Sequence, residues 1–71
     1  MTDHVYHVTE IVGTSTESVD DAIRMAIRRS ARTLRNLDWF ETVEIRGHLE
    51  DGEVEHFQVT LKVGFRLDEL D

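Results

Sequence analysis

The last third of the chain constrains the fold most. In HFQVTLKVGFRL, residues 56–67, Phe57, Val59, Leu61, Val63, Phe65 and Leu67 alternate with Gln58, Thr60, Lys62, Gly64 and Arg66. A period of two sends successive side chains to opposite faces, so this is a strand with one apolar and one polar face. The preceding run, ETVEIRGHLE, alternates the same way: Val43, Ile45, Gly47 and Leu49 against Glu44, Arg46, His48 and Glu50. Asp51-Gly52 between them is a hairpin turn signal. A two-residue loop with an unbroken ladder would set Ile45 opposite Gln58, and the two apolar sets would then face opposite ways. The hairpin must therefore hold an odd number of loop residues, or a bulge between Glu53 and Phe57.

Upstream, HVYHVTEIVG is rich in Val, Ile, Thr and Tyr and reads as a strand ending at Gly13. TSTESVDD then clusters hydroxyls and acids, the residue types that satisfy orphan N–H groups and complement the dipole at a helix start. Ser15 or Thr16 is the expected N-cap, with Ser18 and Asp21 as an alternative capping pair. From there to about Leu37, Val19, Ala22, Ile23, Ala26, Ile27, Leu34 and Leu37 make one apolar stripe at spacings of three and four. That predicts an amphipathic helix roughly 30 Å long. Arg24, Arg28, Arg32 and Arg35 form a second line at the same period. They read either as a solvated face complementing the dipole or as a contact to acidic neighbours or a phosphate.

The expected fold is α+β, in the order β-α-β-β, with one long amphipathic helix packed on a three-stranded antiparallel sheet. The odd-numbered face of the last two strands should grip the helix. A chain of 71 residues buries only about 60% of the surface it exposes when unfolded. With no cysteine to staple it, the missing support has to come from packing or from partner subunits. The last strand, roughly 35 Å long, also outruns what one helix covers, so Phe65 and Leu67 point to self-association. A formal charge of −7 disfavours nucleic acid as a partner, although five of the seven arginines cluster between Arg24 and Arg35. No secretory, lipidation or membrane-spanning pattern is seen, so a cytoplasmic protein that binds no membrane is expected.

No catalytic constellation stands out, and the chain reads as a non-enzyme. Four histidines (His4, His7, His48 and His56) lack a metal-ligand spacing, and no metal site is expected. Acid pairs such as Asp20-Asp21 and Glu50-Asp51 sit where a helix start and a turn favour them. What remains is a binding constellation. Trp39, the single tryptophan, reads as a core plug, an oligomer contact or a stacking surface. Gln58 offers an amide donor and acceptor on the polar face, with Arg46 and His48 flanking it across the hairpin. A planar heteroaromatic ligand carrying a phosphate would use such a set.

VGTS before the helix, TLRNLDWFE at its end, EIRG in the second strand and FQVTLKVGFRL in the third resemble a bacterial dodecin, over nearly the whole chain and in order. The resemblance implies a single domain over residues 1–71, a hollow homododecamer and flavin binding. It implies that Trp39 stacks on an isoalloxazine ring, with two flavins held between tryptophans of neighbouring subunits, and that Gln58 hydrogen-bonds the pyrimidine end. Arg46 matches the arginine of the W-F-E-x-x-E-I-R-G motif and suits the phosphate or ribityl region of FMN, with riboflavin and FAD as alternatives. His48 lies beside that site. Some relatives bind coenzyme A at subunit junctions, and Arg29, Thr33, Arg35 and Arg66 lie at positions similar to those implicated there. Flavin storage that quenches photochemistry is the implied function. The alternative is a coenzyme A-binding or purely structural oligomer with incidental flavin binding.

Overall fold

The computed structural model describes residues 3–68. Strand β1 (Tyr6–Ser15), helix α1 (Val19–Ser30) and strands β2 (Leu37–Glu50) and β3 (Glu53–Arg66) follow one another as β-α-β-β. The sheet order is β1-β3-β2, with both pairings antiparallel. β3 is therefore central, and its odd face carries the core. Val59, Leu61 and Val63 are fully buried against Ala22 of the helix. Ile11, Val19, Ile23, Ala26, Ile27 and Leu37 pack around them. The helix approaches β1 closely because position 13 has no side chain. A Cβ on Gly13 would lie 2.7 Å from both the Ala22 carbonyl oxygen and the Ala26 Cβ.

The helix starts with its apolar stripe at Val19, later than an N-cap at Ser15 or Thr16 would set it, and ends earlier than the stripe suggested. Ser18 is the N-cap, and its hydroxyl accepts the Asp21 N–H at 2.9 Å. Ser15 cannot cap because it still pairs with Phe57 in β1, which runs past Gly13. Its buried hydroxyl instead folds the connection, accepting the N–H groups of Glu17 and Ser18 and donating to the Asp21 carboxylate at 2.7 Å. At the other end the helix stops at Ser30, about 18 Å long at about 1.5 Å per residue. Beyond it the chain tightens into turns, with the N–H of Arg32 on the Arg29 carbonyl and those of Thr33 and Leu34 on the Ser30 carbonyl. Asn36, at φ 64°, then reverses the chain, a conformation its short amide tolerates. Its Nδ2 anchors on the Arg66 carbonyl and the Asp68 carboxylate. Leu37 continues the apolar stripe from within β2, and Arg32 and Arg35 lie off the helix, so the arginine line is broken after Arg28.

The hairpin resolves the parity conflict by a bulge. Glu50 pairs with Glu53 across Asp51-Gly52. Both loop residues have positive φ, 54° and 78°, as a type I′ turn requires. The register then shifts between His48↔His56 and Leu49↔Val54, which leaves Glu55 as the extra residue. Ile45 consequently faces Val59, and Arg46 faces Gln58.

Two further shifts alter β2, at Asp38 and at Val43. The second corrects the expectation that odd residues of both strands grip the helix. Past Val43 the parity inverts. Phe40 pairs with Val63 and Thr42 with Leu61 on the helix side, while Trp39 pairs with Gly64 and Glu41 with Lys62 on the open face.

The core is thin for the length of sheet it supports. The molecule measures 57 × 20 × 15 Å, whereas the helix that covers β1 and β3 is only about 18 Å long. Phe40, Val43 and Ile45 are about half exposed, Leu67 is 44% exposed and Leu49 is 72% exposed. A groove of about 420 Å³ runs between Ile23, Ile27 and Phe40, edged by Asp20, Arg24 and Arg28. Exposed apolar surface of this extent marks an interaction face. Among the described residues, no helix is long and apolar enough to cross a membrane.

Candidate functional site

The open face of the sheet carries the polar residues of β3 and, because of the bulge at Val43, Trp39. Its indole lies across Gly64. A Cβ there would fall 2.1 Å from Trp39 Cε2, 2.3 Å from Cζ2 and 2.6 Å from Nε1, distances no side chain could occupy. Glycine thus lets the indole settle onto the backbone of the central strand, while Trp39 stays 40% exposed. The ring is backed by the strand and open on its outer side.

Tyr6 stands beside it on β1. The two ring centroids are 6.3 Å apart with planes inclined at 60°, in the range of favourable aromatic pairs. The Tyr6 hydroxyl donates to Asp38 Oδ2 at 2.7 Å. This bond holds the phenol above its ordinary pKa, since it favours the neutral donor and since the carboxylate opposes a phenolate beside it; Arg66 pulls the other way. Neither Tyr6 nor Asp38 was singled out from the sequence. The only available signal was that Asp38 adjoins Trp39.

At the far end of the same face, Arg46 sits directly opposite Gln58. Arg46 Nη2 bonds Glu44 Oε1 at 2.9 Å, with both side chains about half exposed. Such a pair is worth only about 0–1 kcal/mol, so a bound anion can redirect the guanidinium. His48 pairs with His56 and their rings stack at 4.3 Å, while Glu55 holds His56 Nδ1. Gln58, Arg46 and His48 are thus brought together, but Trp39 is not among them. Gly64 and Gln58 are six positions apart on β3, which separates the indole from the amide by about 20 Å at about 3.3 Å per residue.

The arginines named near the helix divide between two grooves. Arg29 and Thr33, with Met25, Ala26 and residues of β1, line one of about 570 Å³. Thr33, Arg35 and Arg66 line another of about 230 Å³ at the chain reversal, where Arg35 Nη1 reaches Asp68 at 3.5 Å. Thr33 is the point where the two meet. Among the described residues, no group of three or more histidines or carboxylates is placed to hold a metal ion.

Residues 5–68 match the family model described as Dodecin. The chain belongs to the dodecin family. Among curated relatives, the dodecin of Thermus thermophilus is 52% identical over 65 residues, covering 92% of this chain and 94% of the relative. Among solved structures, a dodecin from Streptomyces davaonensis superposes with a TM-score of 0.90 at 65% identity, covering 96% of this chain and all of that one. A dodecin from Streptomyces coelicolor gives 0.90 at 57% identity, over 99% of this chain and all of the other. The likeness to these dodecins therefore spans all four secondary-structure elements.

Proposed function

We propose that this dodecin stores and shields a flavin, FMN in the first place, and does no catalysis. The observation that carries this reading is the Trp39 indole laid across Gly64 with its outer face free. A planar, electron-poor ring stacks on such a platform. Gln58 supplies the amide that recognises ring carbonyl and N–H groups, and Arg46 supplies the cation for a phosphate, with His48 beside it.

Within one protomer the indole and the amide are too far apart for one ring system to touch both. The site is therefore completed between subunits, with Trp39 of one copy meeting Gln58 and Arg46 of another. Assembly and ligand binding become one problem. The thin core and the exposed apolar strip along Phe40 and Ile45 supply the drive to assemble. We take the assembly to be the homododecamer, with pairs of flavins held between tryptophans and the protein residing in the cytoplasm. Trp39 would serve as the electron donor that quenches the fluorescence and suppresses the photochemistry of a flavin stacked on it.

Titration of FMN, riboflavin and FAD into the purified protein, followed by flavin fluorescence, tests this. Tight binding with quenching, strongest for FMN, is expected. Retained fluorescence with all three would overturn it and leave a structural oligomer. A second ligand, coenzyme A, is favoured by the groove beside Arg29, whose meeting with the Arg35–Arg66 groove at Thr33 offers cations along an extended phosphate chain. Isothermal titration with coenzyme A, in wild type and in Arg29→Ala, checks it.

A further inference from the structure

The chain contains one tryptophan and one tyrosine. The fold brings these two, from the first strand and the second, to a ring separation of 6.3 Å on the same face. Both are held in place, Trp39 by its seat on Gly64 and Tyr6 by the hydrogen bond from its hydroxyl to Asp38. We propose that Tyr6 and Asp38 form a hole-transfer relay that repairs Trp39 after one-electron oxidation.

Loss of an electron from Trp39 leaves an indole radical cation. Tyr6 returns one electron to it across the ring contact and restores the neutral indole. The phenol becomes a far stronger acid on oxidation, and its proton moves along the existing hydrogen bond to Asp38 Oδ2. The products are neutral Trp39, a Tyr6 phenoxyl radical and a protonated Asp38, so electron and proton are both accounted for. A soluble one-electron reductant of the ascorbate class then reduces the phenoxyl, which recovers its proton from Asp38. Tyr6 is 37% exposed, enough for such a reductant to reach it.

The 2.7 Å bond matters because proton transfer needs a partner already within hydrogen-bond reach. Asp38 is the acceptor already hydrogen-bonded to the phenol, so without it the proton would have no partner in place when the phenol is oxidised. The chain has no cysteine to act as a competing sink. Stacked ligand would occupy the outer face of the indole, whereas Tyr6 approaches along the sheet from β1, on the other side of β3, so binding and relay do not compete. The use of the relay in the cell rests on the flavin reading, in which light repeatedly oxidises Trp39. The transfer itself does not.

The experiment uses the ligand-free full chain, so its outcome is separate from flavin binding. Azide radicals generated by pulse radiolysis oxidise the indole, and transient absorption follows the indolyl and phenoxyl bands. Decay of the indolyl band matched by rise of the phenoxyl band, at a rate independent of protein concentration, is expected. In Tyr6→Phe the phenoxyl band should be lost and the indolyl radical should persist. Asp38→Asn keeps the tyrosine and should slow the transfer. An indolyl lifetime unchanged by Tyr6→Phe, or no phenoxyl band in the wild type, would overturn the relay. A transfer rate unaltered by Asp38→Asn would remove Asp38 as the proton acceptor.

Discussion

Trp39 and Gly64 are register partners on adjacent strands, and the indole of one fills the space that a side chain on the other would need. Any Cβ at position 64 therefore has to lift the ring off the sheet. Gly64→Ala should destabilise the protein by about 1–3 kcal/mol, the usual range for overpacking. It should also weaken FMN binding, although the mutated residue carries no group that could touch a ligand. Thermal unfolding and a fluorescence titration read the two effects.

Gly13 makes the corresponding close contact on the other side of the sheet. A Cβ there meets the helix backbone at Ala22, which cannot give way as a flexible side chain would. Gly13→Ala should also cost about 1–3 kcal/mol, but should leave the tryptophan emission of the folded protein unchanged. Chemical denaturation followed by circular dichroism checks the first, and the emission maximum the second.

The sheet pairing shows how much of this could be read in advance. The alternation of β3 is unbroken, so its faces and its core were legible residue by residue. The bulge near the turn was legible too, since Ile45 and Gln58 could not sensibly face one another. The bulge at Val43 was not, because Val43 is itself an apolar residue at an odd position and fits the alternation it interrupts. The side of the sheet on which Trp39 lies depends on that residue, so sequence left its role open. The helix end was misjudged for a related reason. Leu37 packs on the same core as the helical stripe, and helical spacing alone does not reveal that it does so from a strand. The Tyr6–Asp38 bond spans 32 positions and depends on both strands pairing with β3, which no local pattern encodes.

The capping arrangement gives a third stability test. Ser18→Ala removes the acceptor for the Asp21 N–H and should cost about 1 kcal/mol. Thr16→Ala, at a position first considered for the cap, should cost little. Urea denaturation of the two variants side by side discriminates between them.

Tyr6 should titrate above the ordinary tyrosine range, because its neutral form is the one that Asp38 binds. The sign follows from that raised value. The contribution of the bond to stability is complete below the unfolded tyrosine pKa, about 10, and is lost as pH rises through the higher folded value. Ultraviolet titration of the single tyrosine should show the raised midpoint, and Asp38→Asn should bring it down.

The groove between α1 and β2 is the surface on which assembly should depend. Phe40→Glu places a charge in its apolar floor, and burying that charge in a subunit contact without a partner is costly. Size-exclusion chromatography should show the wild type as a large assembly and the variant shifted towards the 8.3 kDa chain. An unchanged elution volume would place the contact elsewhere.

The most direct measurement compares FMN titrations of the wild type and Trp39→Ala, following flavin fluorescence. The wild type should bind and quench strongly. The variant should bind at least about tenfold more weakly, a loss of roughly 1.4 kcal/mol or more, and should leave the flavin emission close to that of free FMN. Equal affinity and equal quenching in the two proteins would contradict a stacking role for Trp39.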